Sequence, residues 1–146
     1  MNLFRGKAKA DGVRIADRAI YAAAALKELD IDNAVVAHEN WSLRLQAYVR
    51  GKSSEVFDPA VVCSDKHCDL GKWIQGHGRE QFEYVPAFEE LVSYHKSFHY
   101  HASNIVTLHQ MGETAKAEKV LDGKFKDLSW RVVNALNELR REVQRF

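Results

Sequence analysis

The chain has 146 residues, 28% of them charged, and a formal net charge of +1. That suits one domain and argues against nucleic-acid binding, which needs a concentrated basic face. No apolar run approaches the ~20 residues that cross a bilayer, and Met1 to Ala10 carries Arg5, Lys7 and Lys9 without the apolar stretch of a secretory signal.

Two prolines and eight glycines favour helix, and the alternating β-branched runs and Asn-Gly turns of strands and hairpins are missing. The expectation is an all-α fold. A first helix is predicted from Asp11 to Leu29, where Val13, Ala16, Ile20, Ala23 and Ala24 recur at spacings of three and four. Asp30-Ile31-Asp32-Asn33 interrupts it with capping residues. A second helix then runs to about Arg50 and stops at Gly51. Its apolar stripe is Ala34, His38, Trp41, Leu45 and Tyr48, so His38 faces inward.

Residues 51–66, with Pro59, read as the least regular part. A short helix is expected from near Asp65 to Gly76, after which Gly76-His77-Gly78 punctuates the chain. Pro86 suits the first turn of a long helix ending at Gly112, with Phe88, Leu91, His95, Phe98, Ala102, Ile105 and His109 inside and His99 beside them. The last helix starts near Glu113 or Thr114, and Val120, Leu121, Phe125, Leu128, Val132, Leu136, Leu139 and Val143 form its stripe. Gly123 weakens it by roughly 1 kcal/mol relative to alanine. The charged tail, Glu138 to Arg145, reads as a solvated face. Amphipathic helices on short turns predict an antiparallel up-and-down four-helix bundle, with an additional short helix and an N-terminal helix.

Two cysteines five residues apart are poor material for a disulfide framework, and seven histidines beside them point to metal chemistry in a cytoplasmic chain. His95 and His99 stand one helical turn apart, within reach of a single ion. Buried imidazoles each need a partner, because an unsatisfied buried polar group costs ~1–3 kcal/mol. One ion relieves that cost for His95, His99 and His38 together. His101 is turned away from the pair and His109 lies more than two turns off. A closed tetrahedral zinc site requires a fourth ligand, for which Cys63, His67 and Cys68 are the candidates. Cys68, in the first turn of a short helix, is placed where backbone N–H groups favour a thiolate, whereas Cys63 falls in the irregular segment.

His38-x-x-Trp41 followed by Arg44-Leu45, then Cys68-Asp69-Leu70-Gly71-Lys72-Trp73, then His95-Lys96-Ser97-Phe98-His99 resembles the chemoreceptor zinc-binding (CZB) domain. The resemblance covers about Asn33 to Leu139 and implies His38, Cys68, His95 and His99 as the ligands of one Zn²⁺. It divides the chain into an N-terminal helical extension (1–32) and a CZB-like zinc-binding bundle (33–146). Trp41, Trp73 and Phe98 are then the apolar packing around the ion, and Asp69 and Glu39 are candidate acceptors for imidazole N–H groups.

A closed Cys-His₃ site has no open position for substrate, and no nucleophile–base pair, phosphate-cradling loop or paired carboxylates stand out, so no enzyme is expected. The resemblance implies a bacterial signal-transduction role in chemotaxis or cyclic-nucleotide signalling. Domains similar to this one sense zinc and, through a redox-active thiolate (here Cys68), hypochlorous acid. With no cyclase signature or receptor coiled coil present, the chain is identified as a stand-alone member acting in trans on a chemoreceptor or diguanylate cyclase. A homodimer is implied, with no nucleic-acid or membrane partner. One rival is a structural zinc module that mediates protein contacts. The other, a hemerythrin-like di-iron protein, needs about five histidines plus bridging carboxylates. Here Ser42 occupies the fourth position after His38.

Overall fold

Glycine, proline and capping residues set the helix boundaries. The computed structural model describes residues 17–23 and 31–144, and among these the chain is all-α, without a strand. Helix α1 comprises residues 17–23; the rest of the predicted Asp11–Leu29 helix lies outside the described residues. The others are α2 (Ile31–Val49), α3 (Pro59–Cys63), α4 (Asp69–Trp73), α5 (Arg79–Phe82), α6 (Pro86–Gln110), α7 (Thr114–Val120) and α8 (Lys126–Gln144). A π turn at Ile74–Gly78 joins α4 to α5, and another at Leu121–Phe125 joins α7 to α8. No helix among the described residues is long and apolar enough to cross a membrane.

Both long helices that were expected to stop at glycine do so, with the same hydrogen bonds. Gly51 has φ +70°, its N–H donates to Tyr48 O, and the Lys52 N–H reaches back to Ala47 O. Gly112 has φ +81°, with Gly112 N–H on His109 O and Glu113 N–H on Leu108 O. This paired closure satisfies carbonyls that a helix end leaves open, and the positive φ explains why glycine stands there.

Several boundaries differ from the sequence reading, beginning with α2, which already starts at Ile31 inside the expected interruption. The segment expected to be irregular contains α3, whose N-cap Asp58 accepts a 2.9 Å bond from the Ala60 N–H, with Pro59 in the first turn. Cys63 therefore ends a helix and does not sit in coil; its thiol is free and exposed. The helix expected from Asp65 begins only at Asp69, because Cys68 is its cap. It also continues past Gly76, which has φ −105° and ψ −112°, so the chain kinks there and resumes as α5. More short helices thus flank the long ones than the single one predicted. At Gly123 the helix widens into the π turn without breaking, and Leu121 and Phe125 both stay fully buried.

Helix α6 is the hub: it packs most extensively on α8 and also against α3, α7 and α2. Its inner face, Phe88, Leu91, His95, Phe98, His99, Ala102 and Ile105, is buried as the periodicity requires. Phe98 stacks on Phe125 of the second π turn at 4.8 Å between ring centroids. On α2, Ala34, His38 and Leu45 are buried, with Trp41 and Tyr48 half-buried beside them. Leu128, Val132, Leu136 and Leu139 close the core from α8; the Val143 side chain lies outside the described residues. The two histidines most deeply set in this core are one turn apart on its central helix.

Candidate metal centre

Three ligand atoms from two elements meet at one point. Cys68 Sγ, at the N-terminus of α4, lies 3.2 Å from His95 Nε2 and 3.5 Å from His99 Nε2. The two Nε2 atoms are 3.0 Å apart. Bond lengths of ~2.3 Å to sulfur and ~2.0 Å to nitrogen at a tetrahedral ion give edges of ~3.5 Å for S···N and ~3.3 Å for N···N. The observed triangle is within a few tenths of an ångström of one face of such a tetrahedron. Soft sulfur with imidazole nitrogen is the donor set that suits Zn²⁺ and not Mg²⁺ or Ca²⁺. The residues present therefore fit the group.

Gly71 positions the sulfur in two ways. Its N–H donates to Cys68 Sγ at 3.2 Å, so Cys68 is the cap of α4 and not a residue of its first turn. A Cβ at Gly71 would stand 1.6 Å from the Asp65 carbonyl oxygen, a backbone atom that cannot swing away. The turn 65–68 closes on α4 only because that Cβ is missing. Gly71→Ala is accordingly expected to displace the cap, destabilise the protein by roughly 1–3 kcal/mol and weaken metal binding at the same time. Thermal unfolding with and without zinc measures both. Burial pushes the Cys68 thiol up from its ordinary range, and the Gly71 N–H opposes that shift. The helix-end effect expected from sequence is thus present but outweighed; a cation held at this site would favour the thiolate.

Burial favours the neutral form of all three imidazoles, and His99 is preset for ligation. His99 Nδ1 lies 3.0 Å from the Val62 carbonyl, which can only accept, so the proton is on Nδ1 and the Nε2 lone pair faces the triangle. A ligating histidine that gives its other N–H to a backbone carbonyl is held in tautomer and orientation. Burial lowers the His99 pKa, against the opposing pull of the Val62 bond and the Asp65 charge. Burial, with the neighbouring imidazoles, takes His95 down to about 3 and His38 down to about 4.

His38 stands beside the triangle and outside it. Its ring is 6.1 Å from that of His95, edge to face, and 4.6 Å from that of Phe98. The atoms that lie within 4.8 Å of one another are those of Cys68, His95 and His99. Yet His38 Nδ1 is buried without a hydrogen-bond partner, as is His95 Nδ1. His38 and the Cys68–His99 edge line the same cleft, of about 1000 Å³, between α2 and residues 55–70.

Phe98 lies against the His99 ring at 5.4 Å, and Trp41 is 6.5 Å from it. Trp73 lines the cleft, but its indole packs on Phe82 and Phe88, fitted over Gly78, where a Cβ would meet the ring at 2.7 Å. Asp69 and Glu39 are exposed, and the acceptor on the His99 N–H is the Val62 carbonyl. Being backbone, it leaves no trace in residue types; the Asp58-Pro59 cap that starts α3 was the available signal. His67 is exposed at the mouth of the cleft. His101 Nδ1 bonds Ser97 O at 2.8 Å, and His109 Nδ1 lies 3.2 Å from Thr114 Oγ1. Both have partners of their own.

Residues 38–106 match the family model described as the chemoreceptor zinc-binding domain. The matched stretch begins on His38 and includes Cys68, His95 and His99. No curated protein and no solved structure matches the chain. Zinc is the cofactor of the matched domain, and Cys68, His95 and His99 make a candidate site for it.

Proposed function

We propose that the chemoreceptor zinc-binding domain of this chain is a zinc-dependent sensory domain in which Cys68, His95, His99 and His38 hold one ion. The observation that carries the reading is the triangle of Cys68 Sγ, His95 Nε2 and His99 Nε2 at tetrahedral spacing. His38 supplies the fourth bond by a rotation of its side chain, which would give its buried nitrogen a partner. An antiparallel up-and-down four-helix bundle that includes α2, α6 and the joined α7–α8 is part of the same proposal.

Bound zinc supplies charge that keeps Cys68 as a thiolate at neutral pH. The cleft beside it gives a small neutral oxidant a path to the sulfur. With hypochlorous acid the thiolate becomes a sulfenic acid and chloride leaves, sulfur giving up two electrons to chlorine. The ligand loses its negative charge and the site loosens. Because the ligands come from α2, α4 and α6, ion loss frees contacts between three helices, and a chemoreceptor or diguanylate cyclase partner reads the change. A cytoplasmic homodimer belongs to the same proposal.

Zinc release from the loaded full chain, followed with a chromophoric chelator during stepwise hypochlorous acid addition, tests the sensory reading. Zinc release that tracks loss of the Cys68 thiol is expected, and zinc release from Cys63→Ala should match wild type. Retention of zinc while Cys63 alone is oxidised would leave a structural zinc module that mediates protein contacts.

A further inference from the structure

Residues 55–63 cross from α2 to α6 and are tied down at both edges. On the α6 side three side chains reach their backbone carbonyls, each at 3.0 Å: His99 Nδ1 to Val62 O, Ser103 Oγ to Pro59 O and Gln110 Nε2 to Phe57 O. On the α2 side Arg44 bonds the Glu55 carboxylate and lies over the rings of Trp41 and Phe57, at 4.7 and 5.3 Å. Phe57 and Val62 point inward, while Val56 is 87% exposed and Val61 58% exposed. The helix in this segment, α3, has five residues, far fewer than the ~12–15 that make an isolated helix even marginal. Its structure therefore depends on docking.

Of the donors that hold it, His99 is the one that also faces the ligand triangle. A neutral imidazole carries one N–H. With the proton on Nδ1, His99 bonds Val62 O and offers Nε2 to a metal. With the proton on Nε2, a hydrogen would stand inside the triangle, and two acceptors, Nδ1 and Val62 O, would face each other at 3.0 Å. The tautomer that docks the strap is the tautomer that binds the ion.

We propose that residues 55–63 are a metal-latched strap, whose docking and zinc binding favour each other through the His99 imidazole. The proposal rests on His99 being a ligand, as read above. By linkage, the factor by which zinc favours docking equals the factor by which docking favours zinc. When the ion leaves, His99 is free to change tautomer, the Val62 bond weakens, and the segment carrying Val56 and Val61 lifts from α6. Ion loss thereby becomes a change in a surface element more than 30 residues away in sequence from the histidine that reports it.

Hydrogen exchange on peptides covering 55–64 of the full chain, zinc-loaded and chelator-treated, tests the latch from one side. Exchange there is expected to slow about 10-fold with zinc, with a much smaller change in α8, since couplings of this kind span roughly 5–150-fold. From the other side, Ser103→Ala with Gln110→Ala, neither one a proposed ligand, should lower zinc affinity about 5-fold or more. Ser103→Ala alone serves if the double variant is misfolded by circular dichroism. Equal exchange of the strap in both states, equal slowing of strap and α8, or unchanged affinity in these variants would overturn the latch. His99→Ala separates the two claims. If it loses zinc while the strap is indifferent to zinc, the site stands and the latch falls. If it binds zinc as tightly as wild type, both fall.

Discussion

Cys68→Ala is expected to lower zinc affinity by well over 100-fold, measured by competition against a chromophoric chelator. Loss of a group that merely orients a ligand already costs roughly 10–100-fold. Cys68 brings the only sulfur of the triangle and its only negative charge, so its removal leaves neutral imidazoles to hold a dication. No neighbouring thiol replaces it: Cys63 ends α3 with its side chain exposed, while Cys68 caps α4. Cys63→Ala should leave the affinity unchanged. Thiol labelling sharpens the contrast, because zinc should protect one of the two cysteines and removal of zinc should release it. An alanine variant at Cys68 that kept wild-type affinity would exclude the ligand assignment.

The second large effect is on the stability of the metal-free protein in acid. Burial holds His38 at about 4 and His95 at about 3, against an ordinary value of 6.5, and lowers His99 as well. Between pH 6.5 and those values the unfolded chain binds protons that the folded chain refuses, so stability rises with pH across that window. It is fully present above pH 6.5 and is lost as pH falls towards 4 and then 3. At pH 4.5 His38 and His95 together cost on the order of 5 kcal/mol relative to pH 7, which for a chain of this length lowers the melting temperature by about 15 °C. Zinc-loaded protein should resist further down, then release its ion as protons compete for the same lone pairs. Equal melting temperatures for the metal-free protein at pH 7 and pH 4.5 would show that these imidazoles are not buried in their neutral form.

The fold was legible wherever one residue decides a local conformation. Gly51 and Gly112 stop helices because the next step needs positive φ, and Pro86 starts one because its missing N–H costs nothing there. The 4-3 spacing of apolar residues places His38, His95 and His99 towards the interior, where all three are buried. What escaped was backbone chemistry. Cys68 acts as a cap, which its sulfur can do because Gly71 offers an N–H, and nothing in a stripe argument distinguishes a cap from a first-turn residue. Residue types point to the carboxylates of Asp69 and Glu39 as imidazole acceptors, whereas His99 bonds the Val62 carbonyl, set by the short helix that Asp58-Pro59 starts. The ring of His38 shows the reach of periodicity: it gives the face a residue occupies and not which way the imidazole turns on that face.

X-ray absorption at the zinc edge of the loaded full chain tests the Cys68–His95–His99–His38 ligand set, because it counts the atoms bonded to the ion. One sulfur at about 2.3 Å and three nitrogens at about 2.0 Å are expected, the pattern of Cys68 with His95, His99 and His38. A first shell of nitrogen and oxygen without sulfur, or one with two sulfurs, would contradict it.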